Sequence, residues 1–199
     1  MTHRKTANTP LDVLRDRQTG TAGFRAAARR VCSGLMQELQ ALLRKRNVDT
    51  TRVAFVIVLR SAIALLEPAL QVFPQAPVGV LGLKRDEHTL LPRSYYENLP
   101  TFDEYDAIIL LDPMLATGGS TEAAIARLLL RGAAPEKLYF VGVIAAPEGL
   151  ARLCAHISRE HIILAAVDEK LDPKGMIVPG LGDFGDRYFG YGDAPVSFD

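Results

Sequence analysis

The sequence predicts an α/β fold, a mainly parallel sheet flanked by helices, and three observations carry that prediction. Continuous apolar runs of strand length recur along the chain, segments of helical period separate them, and 48% of the 199 residues are hydrophobic, enough to cover a sheet on both faces. Taken in order, Phe24, Ala28, Val31, Cys32, Leu35, Met36, Leu39, Leu42 and Leu43 recur at steps of three and four, so residues from about 22 to 46 form an amphipathic helix. The charged run Arg44, Lys45, Arg46 is a solvated end that suits the helix dipole. VAFVIVL (53–59) is a strand and 63–73 a helix; VGVLGL (78–83), AIILL (107–111), LYFVGVI (138–144) and HIILAAV (161–167) are further strands. Between the last three lie two more helical segments, 121–131, closed by Gly132, and 147–156. TLLPRSYYENLP (89–100) breaks the rhythm as an extended excursion or hairpin standing off the sheet, and residues 171–199, rich in Gly, Pro and Asp, read as ordered loop. The expected organisation is one domain over 1–199: a helical segment at about 10–46, a core at about 52–170 and a C-terminal segment at about 171–192.

Composition narrows the function. Lys plus Arg and Asp plus Glu both total 23, so no global field draws the chain to nucleic acid or to an anionic membrane, and any anion must be bound locally. No apolar run reaches the ~20 residues of a membrane span, and the start, MTHRKTANTP, lacks the apolar centre of a signal peptide. A cytoplasmic location is expected, with no nucleic-acid or membrane partner. Cys32 and Cys154 have neither metal nor redox spacing and read as two buried structural thiols. His88, His156 and His161 match no catalytic spacing.

The chemistry concentrates in DPMLATGGS (112–120), the loop between the strand 107–111 and the helix after it. Ligands of open α/β sheets bind at that strand end. Gly118 and Gly119 let the backbone approach a ligand, amides at the helix start point outward, and the hydroxyls of Thr117 and Ser120 suit phosphate oxygens. No Lys follows the glycines and the Gly-x-Gly-x-x-Gly spacing is absent, so this is neither a Walker A loop nor a dinucleotide fingerprint. A bare TGGS also serves as a tight strand-to-helix turn. Asp112 in front of it separates the two readings, because an acid beside a phosphate cradle engages sugar hydroxyls or a developing positive charge. Acid, amides and hydroxyls together describe a phosphorylated sugar.

At these residues the chain resembles the type I phosphoribosyltransferases, and DPMLATGGS, with one acid followed by Pro113, is similar to the form found in uracil phosphoribosyltransferases. Other segments carry the same resemblance in order along nearly the whole chain: VLRDRQTG, VLRSA (58–62), GLKRDEHTLLPRSYYENLP, AAPEG (145–149), AAVDEKLD (165–172) and IVPGLGDFGDRYFG (177–190). The tail has the Gly-Asp-Phe-Gly-Asp form usual in eukaryotic members, and RKRNVDTTR is shorter than the family's usual arm between first helix and first strand.

The resemblance implies the type I phosphoribosyltransferase fold, with a hairpin excursion and a C-terminal base-binding hood. It implies an enzyme of pyrimidine salvage: uracil displaces pyrophosphate from 5-phosphoribosyl-1-pyrophosphate (PRPP) to give UMP, with oxocarbenium character at the ribose. Carried over residue by residue, the catalytic set is Arg60, Asp112 and Asp183. PRPP is met by Arg60, Arg85, Asp112, Pro113, Met114, Leu115, Ala116, Thr117, Gly118, Gly119, Ser120 and Asp183. Uracil is met by Ile177, Gly182, Asp183 and Phe184. Arginine forks suit phosphate oxygens, and Mg2+, held mainly through PRPP, would share the charge. Uracil presents acceptor, donor, acceptor along one edge, which a rigid Gly-Pro loop answers with backbone groups that cytosine would leave unpaired. A homodimer or homotetramer is implied too, and allosteric control by GTP stays open.

Two readings remain, the enzyme and a non-catalytic nucleotide- or PRPP-binding regulator on the same fold. One departure bears on activity: where the family has Arg-Ala-Gly after its first strand, this chain has Arg60, Ser61, Ala62. If the glycine position is left-handed, Ala62 is strained, PRPP binds more weakly, and Ala62→Gly improves it.

Overall fold

The structure, a computed structural model, describes residues 9–85 and 92–191, with the side chains of Arg85 and Pro92 outside that description. The chain enters through α1 (Pro10–Arg15), started by a capping box: Asp12 N–H donates to the Thr9 hydroxyl oxygen (3.2 Å) and Thr9 N–H to the Asp12 carboxylate (2.8 Å). Residues 16–20 interrupt the helical segment before α2 (Thr21–Lys45), which buries Phe24, Ala27, Ala28, Cys32, Leu35, Met36, Leu39 and Leu43. Thus the segment expected at about 10–46 is two helices, and VLR of the early loop belongs to the first.

β1 (Val53–Leu59), β2 (Val78–Arg85), β4 (Ala107–Leu111), β6 (Leu138–Ala145) and β7 (Ile162–Val167) follow, β4 succeeded at once by the two-residue β5 (Met114–Leu115). Every pairing among them is parallel: β1 with β2 and β4, β6 with β4, β5 and β7. β3 (Pro92–Asn98) turns back antiparallel on β2, from Val80 opposite Asn98 to Arg85 opposite Pro92. The excursion read from sequence therefore returns as the edge strand of the main sheet, and its tip lies outside the described residues. α3 (Ile63–Val72), α4 (Gly119–Leu130) and α5 (Pro147–Cys154) connect the strands. α4 ends as expected at Gly132 (φ +87°), with Ala133 N–H to Leu128 O and Gly132 N–H to Leu129 O.

Alternation along the strands makes two cores. Val53, Phe55 and Ile57 of β1, with Ala107, Ile109 and Leu111 of β4, face α2 and α3; Ala54, Val56 and Val58, with Ile108 and Leu110, face α4 and α5. All these residues are buried, which is why their strands read as unbroken apolar runs. The sheet path runs β3-β2-β1-β4-β6, with β7 beyond β6, so the chain winds outward in both directions from the boundary between β1 and β4. A crevice opens at the carboxyl ends of such a pair.

Three further expectations change. Residues 171–191 are not loop throughout: β8 (Lys170–Leu171) pairs antiparallel with β9 (Ile177–Val178), and α6 (Phe184–Phe189) follows, all too short to leave a period in sequence. Cys32 is buried, which pushes its thiol up to about 12, but Cys154, at the end of α5, is exposed. Ala62 has φ −66° and ψ −11°, ordinary right-handed backbone that every residue adopts, so the strain expected there does not exist. Among the described residues no helix is long and apolar enough to cross a membrane.

Candidate active site

The two loops at the β1–β4 boundary carry the residues singled out from sequence. After β4, the backbone of 112–116 is bound down along β6: Asp112 N–H donates to Val141 O (3.2 Å), Val143 and Ile144 N–H to Pro113 O (2.9 and 3.0 Å), and Ala146 N–H to Leu115 O (2.9 Å). A side chain at Gly142 would stand 2.8 Å from Asp112 O and one at Gly149 would collide with Ala116 O, so neighbouring glycines let the loop lie this close. The loop's shape is thereby set before any ligand arrives. Gly118 caps α4 in the left-handed conformation (φ +79°) that a side chain would disfavour. The amides of Gly119, Ser120 and Thr121 precede the first bond within the helix, Glu122 N–H to Gly118 O (2.9 Å), so the start of α4 has donors of the kind that suit an anion. Thr117 is half-buried and Ser120 exposed beside it.

Asp112 is only 8% exposed. Burial pushes its carboxyl up to about 7, opposed by the Met114 N–H at 3.4 Å. An acid with a carboxyl poised near neutrality at a strand end beside an anion cradle responds strongly to whatever charge enters.

After β1, Arg60 is exposed and reaches toward α6: its guanidinium lies 3.5 Å from Asp186 and over the rings of Phe189 and Tyr191, 5.7 and 5.3 Å from their centroids. The Leu59–Arg60 and Val178–Pro179 peptide bonds are cis. Arg85 closes β2, and its side chain lies outside the described residues.

The C-terminal segment folds over both loops. Asp183 caps α6 and accepts Asp186 N–H (2.8 Å). Phe184 N–H donates to Met114 Sδ (3.4 Å), and a side chain on Gly185 would touch Ser61 Cβ at 3.6 Å. A side chain on Gly175, in the turn from β8 to β9, would meet Thr117 Cγ2 at 3.6 Å. Three contacts thus bring residues 61, 114–117 and 175–185 together. Within this group Ile177 and Gly182 are buried and Asp183 is exposed. The Phe184 ring is fully buried, edge-on to Phe24 (5.2 Å) and stacked on Tyr188 (6.0 Å), so only its backbone faces the site.

Residues not singled out from sequence complete the surroundings. A cavity of about 210 Å³ beside Asp183 is lined by Arg17, Thr19, Thr21, Asp186, Arg187 and Tyr191, bordering the hood rather than Asp112. A side chain on Gly182 would collide with the Arg17 guanidinium. Arg187 bonds to four backbone oxygens, those of Leu14, Asp16, Thr19 and Leu181, and lies over the Phe24 ring, tying residues 14–19 to the hood. VLRDRQTG and GDFGDR contain Leu14, Asp16, Arg17, Thr19, Asp186 and Arg187, but no spacing rule joins two motifs some 170 positions apart in sequence, the separation of Arg187 and Asp16 being 171.

Among the described residues no group of three His, Cys, Asp or Glu side chains is placed to hold a metal ion.

Comparison with known proteins identifies the family and the fold. Residues 40–191 match the family model for uracil phosphoribosyltransferase. The chain is 40% identical to a uracil phosphoribosyltransferase of Bacillus velezensis over 90% of this chain and 92% of that one. It is 42% identical to one of a Roseiflexus species over 92% and 93%. A solved structure from Aquifex aeolicus superposes with a TM-score of 0.81 at 34% identity, covering 93% of this chain and 94% of that one. A purine phosphoribosyltransferase of Pyrococcus horikoshii, at 16% identity, TM-score 0.52 and coverage of 71% and 82%, shares the fold.

Proposed function

The chain belongs to the uracil phosphoribosyltransferase family, and on that premise we propose how its residues divide the family's reaction among them. The protein is a pentosyltransferase that joins uracil to PRPP, giving UMP and pyrophosphate. The bond from uracil N1 to the anomeric carbon forms while the bond from that carbon to the pyrophosphate oxygen breaks, its electron pair leaving with pyrophosphate and the N1 proton being released.

The observation that carries our assignment is the meeting of three segments at the β1–β4 crevice: Ser61 with Gly185, Met114 with Phe184, Thr117 with Gly175. The α4 amides, Thr117 and Ser120 take the phosphate of the ribose, and residues 113–116 line its approach. Asp112, its carboxyl poised near 7, acts in its ionised form, stabilising the positive charge that develops on the ribose where it appears. Arg60 and Arg85 take the pyrophosphate, which requires Arg60 to leave Asp186. The backbone of Ile177, Gly182 and Phe184 reads the base edge, and Asp183 stands between base and ribose. Asp112 and Asp183 are the residues that would help to hold Mg2+ brought in by PRPP, and the ion would supply charge neutralisation for the leaving diphosphate. We extend the reading to a cytoplasmic, homodimeric or homotetrameric enzyme. A concentration-independent monomer in sedimentation contradicts the assembly, and a GTP titration of the rate decides whether GTP regulates it.

The direct test is UMP formation from PRPP with uracil, cytosine and orotate compared. Product from uracil alone is expected; none at saturating substrates favours a binding protein.

A further inference from the structure

The loop assigned to the base is held from behind by an ion pair that the reaction itself does not use. Asp168 follows β7, its N–H on Ala145 O (2.8 Å) and its carboxylate 2% exposed. Burial would raise its pKa, but the Arg15 bond and the Gly180 N–H outweigh that and hold the carboxyl below the usual range. Arg15, in the last turn of α1, meets this carboxylate with both terminal nitrogens, Nη1 at 2.8 Å from Oδ2 and Nη2 on Oδ1. Between them they grip one residue by both backbone groups: Gly180 N–H donates to Asp168 Oδ2 (2.7 Å), and Arg15 Nη1 donates to Gly180 O (2.9 Å). Gly180 is left-handed (φ +65°) and packs so closely on Ile177 O that a side chain would collide with it.

An ion pair this buried is poorly explained as a stabiliser, since apolar replacements of similar volume often do as well or better. Its geometry suits a directional task. The peptide groups on either side of Gly180 lie between Ile177 and Gly182, whose backbone is assigned to the base edge, and a carboxylate and a guanidinium fix one N–H and one C=O in opposite senses. We propose that Arg15 and Asp168 are positioning residues for the base, aiming the 177–182 backbone so that it accepts uracil and refuses cytosine. This rests on the assignment of residues 177–184 to uracil. Misdirected peptide groups leave the bound edge unpaired, which weakens uracil binding and narrows its advantage over cytosine.

The test compares Arg15→Lys, which keeps the charge but loses the fork, and Asp168→Asn, which keeps an acceptor for Gly180 N–H, with Gly182→Val as the control for the base site. KM for uracil, KM for PRPP, kcat and the uracil to cytosine ratio are measured beside circular dichroism and thermal melts. In both clamp variants KM for uracil should rise about tenfold or more and the ratio fall, with kcat and KM for PRPP within about twofold of the parent. Arg15→Lys retains a cation at a partly exposed position, so the result can be read even if Asp168→Asn fails to accumulate folded. Unchanged uracil KM in the clamp variants, with uracil binding lost in Gly182→Val, overturns the clamp while leaving the base site standing. Equal losses in kcat and both KM values with a lowered melt make the pair merely structural and also overturn it. Unchanged uracil binding in Gly182→Val overturns the base site, and the clamp with it.

Discussion

Arg60 and Asp186 meet across the crevice, guanidinium to carboxylate at 3.5 Å, joining the loop after β1 to the helix that closes the hood. Both side chains are about half exposed, so the pair is worth little, about 0 to 1 kcal/mol by analogy with other surface pairs. In the role proposed for it, Arg60 is therefore held near the site and is easily released to a diphosphate. Asp186→Asn is expected to change KM for PRPP by less than about fivefold, whereas Arg60→Ala raises it about tenfold or more by removing a charge-assisted fork. Steady-state kinetics with PRPP varied decides; equal effects of the two substitutions would make Asp186 as necessary as Arg60.

Asp112 couples activity to stability. Its folded pKa of about 7 lies above the unfolded value of 3.8, so the native state binds the proton more tightly. Stability is then greatest below about pH 4 as far as this group is concerned, and is lost as pH rises toward 7 and the buried carboxyl ionises, by at most about 4 kcal/mol. Asp112→Asn should consequently raise the melting temperature more at pH 8 than at pH 5, while lowering kcat well beyond any change in substrate affinity. The acidic limb of the pH–rate profile, centred near 7 in the parent, should vanish with it. A mutant with parental turnover would remove Asp112 from the chemistry.

Ala62→Gly should bring no gain in PRPP affinity. Ala62 already has right-handed backbone at the start of α3, and glycine there adds only unfolded-state entropy, a loss of about 1 kcal/mol or less. An improved PRPP KM in the glycine variant would show that the bound loop adopts a different backbone.

His161 provides a stability test away from the site. It is buried, stacked on Tyr139 (4.1 Å between centroids) with Nδ1 at 3.0 Å from Leu138 O, and its Nε2 has no hydrogen-bond partner among the described residues. Burial lowers its pKa, against the Leu138 carbonyl, which raises it. A depressed folded pKa favours the neutral ring, so its contribution is present above the unfolded value of 6.5 and is lost as pH falls below it. Urea unfolding between pH 7.5 and 5.5 should show a falling midpoint that His161→Phe flattens. An unchanged slope in the variant would assign the acid loss to other groups.

The sheet was legible along the chain because β1, β4 and β6 are covered on both faces, which writes their burial into continuous apolar runs such as VAFVIVL. The DPMLATGGS loop was legible for a related reason: an acid, two glycines and two hydroxyls within nine residues make their geometry locally, and the α4 N-terminus follows from it. Elements of two to six residues, β8, β9 and α6, complete no more than a turn or two of any period and left no trace. Contacts between distant segments left none either. Arg15 finds Asp168 across 153 positions, Arg187 finds the carbonyls of 14–19, and the Phe184 ring turns to Phe24 in the core while its N–H faces Met114. Local composition determined the acid, glycines and hydroxyls of the loop that we assign to phosphate, and the strands that bear it. The direction of each side chain, and the near-neutral carboxyl of Asp112, were decided by tertiary burial and the partners it brings, because desolvation and hydrogen bonding depend on neighbours in space.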